Sequence, residues 1–137
     1  RLRQEMDPLV LKDRIMRSYG LLKYAKMLDL IETCREREIP IISSMGTGNK
    51  KDAQLLQITD LSKTYGDALA RVMRKELRAR GIEHHPVVFS PEEPMQPMRI
   101  EAPPPGRRSV PGSLVWVTAT AGLLLSQYIV SHLTQPN

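Results

Sequence analysis

Cysteine is nearly absent from this chain. A single residue, Cys34, in 137 excludes an internal disulfide and a four-cysteine zinc site, and makes a reducing, cytoplasmic setting the default. Aromatic residues are scarce at 4%, so a core must rest on Leu, Ile, Val, Met and Ala. Acidic groups are outnumbered, 15 against 20 Lys and Arg. The resulting net charge of +5 and pI near 9.6 favour acidic partners: nucleic acid, nucleotide or an anionic membrane surface. A basic face that is merely solvated is the plain alternative. No charged-then-apolar leader with a small-residue cleavage site opens the sequence. The length suits one domain with a real core.

What is present centres on Ile39–Asp52. Ile39-Pro40-Ile41-Ile42 reads as a short strand buried on both faces, ending in Ser43-Ser44-Met45 and the loop Gly46-Thr47-Gly48-Asn49-Lys50-Lys51-Asp52. In an open α/β sheet, ligands lie beyond the carboxyl ends of such strands. Glycine lets backbone N–H groups approach an anion, although Gly-x-Gly also makes ordinary turns.

Upstream, Asp7-Pro8 suits a helix start within an atypical helical segment over 1–20. Leu21–Arg37 has a stronger helical period, with Tyr24, Leu28, Ile31 and Cys34 on one stripe. Cys34 on that stripe reads as a small core residue. Glu38-Ile39-Pro40 ends the helix, because the residue before proline is pushed out of the α region. Downstream, Ala53–Asp60 alternates as a strand, with Leu56 and Ile58 on one side. The Lys63-Thr64 loop follows. Asp67 is a suitable N-cap for a helix to Arg80, closed by Gly81. That helix carries Leu69, Val72, Met73 and Leu77 on one face. Arg71, Arg74, Lys75, Arg78 and Arg80, against the single acid Glu76, make its exposed side strongly basic, which reads either as a solvated face or as a phosphate- or RNA-contacting one. His84 and His85 precede a strand over Val87–Ser90; adjacent histidines diverge in extended chain, so both read as surface residues and no metal site is expected. Residues 91–112 hold seven of the eleven prolines and read as a crossing loop. Ser113–Leu133 has no formal charge. It reads as a core strand plus helix, with a membrane span as the competing reading.

The run Ile39–Asp52, the Lys63-Thr64 loop and the stretch Asp67–Leu77 with Arg80-Gly81-Ile82 resemble the C-terminal half of the tRNA threonylcarbamoyladenosine dehydratase family. So do Val88-Phe89-Ser90-Pro91-Glu92-Glu93-Pro94 and Val110-Pro111-Gly112-Ser113. These are ThiF/MoeB-like adenylating enzymes related to ubiquitin-activating enzyme. The likeness runs from about Lys26 to Leu133. It implies an α/β fold: part of a Rossmann-like three-layer sheet, in one partial domain made of 1–20, 21–90, the Pro-rich loop 91–112 and a C-terminal 113–137. It also implies ATP-dependent chemistry with magnesium, in which a threonyl carboxylate on a tRNA adenosine is adenylated and then cyclised with loss of AMP. Homodimers at the inner bacterial membrane surface or in the cytoplasm belong to that implication, and because half of a parallel sheet leaves an open apolar edge, a sheet-completing partner is expected.

By the same resemblance, Gly46, Thr47, Gly48, Asn49, Lys50, Asp52, Lys63 and Thr64 face the reaction centre. Arg71, Arg74, Lys75 and Arg78 meet tRNA. The family's Gly-x-Gly-Gly-x-Gly nucleotide loop, the arginine after it and the magnesium-binding aspartate do not occur here. Arg14–Gly20 stands where the aspartate-bearing strand should be. The usual Asp-Pro-Thr is Asp52-Ala53-Gln54, and the Asp-Pro opening of the basic helix is Asp67-Ala68. No catalytic residue is assigned, and ATP binding by the chain alone is not expected. A fragment of a longer enzyme, a truncated non-enzymatic paralogue that dimerises or binds RNA, and a small membrane-anchored protein are the three readings.

Overall fold

The computed structural model describes residues 24–96 and 112–135. The expectations for 1–20 and for most of the proline-rich loop fall outside them. Helix α1 occupies residues 24–36. It is followed by β1 (Ser43–Ser44), a 3-10 turn at Ala53–Leu55, β2 (Gln57–Asp60), a second 3-10 turn at Leu61–Lys63, α2 (Ala68–Ala79), β3 (Pro86–Phe89) and α3 (Val115–Thr134). The three strands form one mixed sheet in the order β1-β3-β2. β1 runs parallel to β3, pairing Ser43 with Val87, and β2 runs antiparallel, pairing Ile58 with Val88.

Alternation along β3 divides the interior into two cores. Val87 and Phe89 join Leu28 and Ile31 of α1 and Ala70, Met73 and Leu77 of α2 on one face. Val88 points the other way, to Leu56 and to Val117 and Ala121 of α3. The period of two on a strand requires this split. It continues through Ile41 and Ile42, which pack against the first and second cores respectively. The chain is thus α/β, with helices on both faces of a small sheet.

Helix α2 follows its sequence signals. The Asp67 side chain accepts from the Ala70 amide, Arg80 is the C-cap and Gly81 takes φ +78°, a backbone region natural to glycine. Met73 and Leu77 are fully buried. Arg80 ties α2 to α1 through Asp29 and Glu32, each at 2.7 Å. The bond to Asp29 is the main cause that holds its guanidinium above its ordinary pKa, against some desolvation, with Glu32 adding to the shift.

Three expectations need correction. The strand expected from Ile39 makes ladder bonds only at Ser43–Ser44, extended by the Met45 amide donating to the Val88 carbonyl at 2.8 Å. The parallel register sets Ile42 opposite Pro86, which has no N–H to donate. The strand expected over Ala53–Asp60 begins as a 3-10 turn because the Asp52 carboxylate accepts from the Gln54 amide at 2.9 Å. Leu56 and Ile58 do share the face of Val88, although Ile58 lies on an edge strand and is exposed.

The third correction concerns Ser113–Leu133, where no strand precedes the helix. Helix α3 begins at Val115 and runs unbroken for 20 residues. Its hydroxyl residues fit because they bond backward along the helix: Thr120 Oγ1 donates to the Trp116 carbonyl at 2.6 Å and Ser126 Oγ to Gly122 at 3.0 Å. No helix among the described residues is long and apolar enough to cross a membrane.

Candidate functional site after the first strand

The carboxyl ends of the parallel pair β1 and β3 converge on the amino end of α2, and Asp67 joins all three. Its Oδ1 accepts from the Ala70 amide at 2.9 Å. Its Oδ2 accepts from the Gly46 amide at 2.9 Å and from Lys50 Nζ at 3.4 Å. Lys50 Nζ also donates to the Ser90 carbonyl at 2.9 Å, just past β3. Only 2% of each side chain in the Lys50–Asp67 pair is exposed. Gly46 permits the approach: a Cβ there would stand 3.0 Å from Asp67 Oδ2.

A second clasp holds the following residues. Glu92 accepts from the amides of Lys51 and Asp52 at 3.0–3.1 Å. Asn49, at φ +60°, donates its amide to the Gly112 carbonyl and accepts the Met95 amide on its own carbonyl. Its side chain accepts from the Gly112 amide at 2.8 Å. Trp116 Nε1 donates to the Lys51 carbonyl at 2.8 Å, tying the start of α3 to the loop.

These contacts revise the expected site. Gly46, Asn49 and Lys50 are brought together, but they serve the loop itself. Asp52 caps the 3-10 turn. Thr64 is buried; its hydroxyl donates to the Leu61 carbonyl at 2.6 Å, and Arg74 bonds both its carbonyl and its hydroxyl. Thr47 and Gly48 are half-buried and Lys63 is exposed. Arg74 therefore fastens α2 to the preceding turn, leaving Arg71, Lys75 and Arg78 as the exposed cations expected to meet tRNA. A phosphate would need loop amides and an ammonium turned outward. Here the amides of Gly46, Lys51 and Asp52 already hold carboxylates, and the Lys50 ammonium is spent inside. These four groups are thus turned to partners inside the protein and are not directed at an outside phosphate. Among the described residues, no group of three or more His, Cys, Asp or Glu side chains could hold a metal ion.

His85 is not the surface residue expected from its place beside His84. It is 1% exposed, and its Nε2 lies 2.8 Å from Ser43 Oγ, joining β3 to β1. Its Nδ1 has no hydrogen-bond partner among the described residues. Burial, with Arg35 nearby and against the opposite pull of Asp60, lowers its pKa from 6.5 to about 4. His84 does stay exposed, 3.3 Å from Asp60. Burial works against ionisation of Asp60, but Ser62 and His84 hold its carboxyl below the usual value.

The His85 shift has a defined sign. As pH is lowered from 6.5 to about 4, the unfolded chain takes up more protons at this ring than the folded one, so stability present above pH 6.5 is lost progressively as pH falls through that window. The expected loss is on the order of 2–3 kcal/mol. His85→Gln is expected to flatten that part of a urea-unfolding pH profile. A profile equally steep in the variant would refute the assignment.

No protein-family model matches the chain. The tRNA threonylcarbamoyladenosine dehydratase of Bacillus subtilis is 36% identical over 115 residues, covering 77% of this chain and 45% of that protein. The crystal structure of Escherichia coli tRNA N6-threonylcarbamoyladenosine dehydratase with AMP superposes with a TM-score of 0.63 at 28% identity, covering 77% of this chain and 42% of that one. Its ATP complex superposes with a TM-score of 0.58 at 29% identity, over 80% of this chain and 45% of that one. The chain thus spans less than half the length of these relatives. Its homologues, in sequence and in structure, are tRNA threonylcarbamoyladenosine dehydratases of the ThiF/MoeB-like kind, and it corresponds to a part of them.

Proposed function

We propose that this chain forms the substrate-side portion of an ATP-dependent tRNA-modifying enzyme that adenylates and cyclises threonylcarbamoyladenosine, built on part of a Rossmann-like sheet and working in the cytoplasm. The observation that carries this reading is the joint at Asp67. It locks the loop after β1 to the helix that bears Arg71, Lys75 and Arg78, so a substrate-facing loop and a basic RNA-facing surface move as one body. The relation to the dehydratases supplies the reaction class. No chemical step is assigned to the residues described.

A sheet-completing partner or second copy is part of this proposal. β1 lies at one edge of the described sheet. Beside it, a groove of about 440 Å³ is lined by Pro40, Ile41, Ile42, Leu125, Ile129 and Val130. Leu123 and Val130 of α3 are 69% and 57% exposed. The inward pairing of Lys50 with Asp67 and Ser90 also favours a second reading, a non-enzymatic module that binds tRNA or dimerises with a complete homologue.

Titration of the chain with unmodified tRNA over a salt series tests the RNA surface. Binding is expected to weaken steeply with salt. Replacing Arg71, Lys75 and Arg78 together by Gln is expected to reduce the log–log slope by about 2–3, from roughly 0.7–0.9 per phosphate contact. An affinity indifferent to salt would remove the RNA role. Calorimetry with ATP and magnesium tests nucleotide binding by the isolated chain. No heat of binding is expected, and stoichiometric binding would favour the enzyme reading over the non-enzymatic module.

A further inference from the structure

At the carboxyl end of the parallel strands, one aromatic ring is turned outward on a fixed support. Tyr65 is 59% exposed, in a chain with few aromatic residues. Its ring meets the buried ring of Phe89, the last residue of β3, edge-on, with centroids 5.4 Å apart and planes at 69°. The backbone on either side is held. Thr64 is bonded to Leu61 and to Arg74, and Asp67 caps α2 two residues later. The ring thus sits on a two-residue span, Tyr65-Gly66, anchored at Thr64 and Asp67 and resting on Phe89, which lowers the ordering cost of any contact it makes.

The cations of α2 run up to the same turn. Arg74 reaches back to the Thr64 carbonyl at 2.8 Å, so the helix face carrying Arg74 looks onto the Thr64–Tyr65 turn. Arg71 is three positions before Arg74 and lies beside it on the helix surface. Lys75 and Arg78 follow Arg71 at four and seven positions and continue the row. All three are exposed. A row of exposed cations thus begins beside the turn that carries the exposed ring.

We infer that Tyr65 is a stacking platform for an unpaired nucleobase, with Arg71, Lys75 and Arg78 on the phosphates of the strand that delivers it. The inference rests on the RNA reading above and specifies the class of RNA. A base stacked in a duplex cannot reach a side-chain ring, whereas a base splayed from a loop can. Stacking on an aromatic face accepts any base, so the platform selects single-stranded character over sequence.

The test uses the full chain, a labelled stem–loop RNA and a blunt duplex with the same stem. Tyr65→Ala and Tyr65→Leu are expected to weaken stem–loop binding about tenfold, within the usual range for one stacked base. Tyr65→Phe is expected to stay within about twofold, because it keeps the ring. Duplex binding and the salt slope should not change, since no charge is removed. Leu retains an apolar contact with Phe89, so an unshifted melting curve for Tyr65→Leu separates lost stacking from lost folding. Unchanged stem–loop affinity in the Ala and Leu variants, or an equal loss on the duplex, overturns the inference and leaves the RNA reading standing. A wild-type chain with no salt-dependent RNA binding defeats both.

Discussion

Asp67→Ala is expected to destabilise the protein by about 3–5 kcal/mol, the usual cost of removing one partner from a buried ion pair. The substitution strands the Lys50 ammonium with the Ser90 carbonyl as its remaining bond, frees the Gly46 amide and removes the N-cap of α2. The cap alone accounts for about 1 kcal/mol of that. Asp67→Asn keeps a capping oxygen and loses the charge, so an intermediate loss is expected. Lys50→Met combined with Asp67→Asn should cost less than the two single changes summed, because no buried charge is left unpaired. Urea unfolding with unchanged m-values measures each difference. A fully additive double variant would show that the pair is not coupled.

Phe89→Ala is the second large effect, with an expected loss of about 3–5 kcal/mol. Phe89 is the chain's single phenylalanine, is 1% exposed on the central strand, and packs into the core shared by α1 and α2. Its ring cannot be replaced by collapse without moving β3, which both other strands pair with. It also carries Tyr65. The variant is therefore expected to lose discrimination between stem–loop and duplex RNA even under conditions where it remains folded. A folded Phe89→Ala protein with wild-type discrimination would mean that Tyr65 needs no support from below. A stability change under about 1 kcal/mol would place the ring outside the core that defines the fold.

The accuracy of the sequence reading varied with the range of the interactions. The bounds of α2, its Asp67 cap and its Gly81 stop were legible because they depend on residues a few positions apart. The turn at Glu38–Pro40 was legible for the same reason. The two cores were not legible: Val87–Ser90 read only as a strand, and which helix covers each of its faces depends on residues far along the chain. Lys50 looked like a loop cation awaiting an anion, and its burial depends on Asp67 and Ser90, 17 and 40 positions away. Arg74 looked like one more RNA-facing cation until Thr64 was found beneath it. Glu92 carried no signal at all, since nothing in its spacing announces that two loop amides point at it.

His85 shows the same limit from the other side. Two adjacent histidines before a strand do diverge, as the geometry of extended chain requires, and divergence sent one of them inward to Ser43. Likewise the uncharged stretch at 113–133 was clear, but that it is helix from Val115 with no strand before it was decided by packing. Leu114, Val117, Ala121, Leu124 and Leu125 all reach the core of Val88 and Leu56, and steps of three and four fall on one face only in a helix. The short-range features could be read from neighbouring residues: the capped basic helix, the proline stop, the α/β alternation and the likeness to the dehydratases. Which polar groups are free to act emerged only once the chain was folded. That depends on partners brought together across tens of residues, and local spacing has no means to record them.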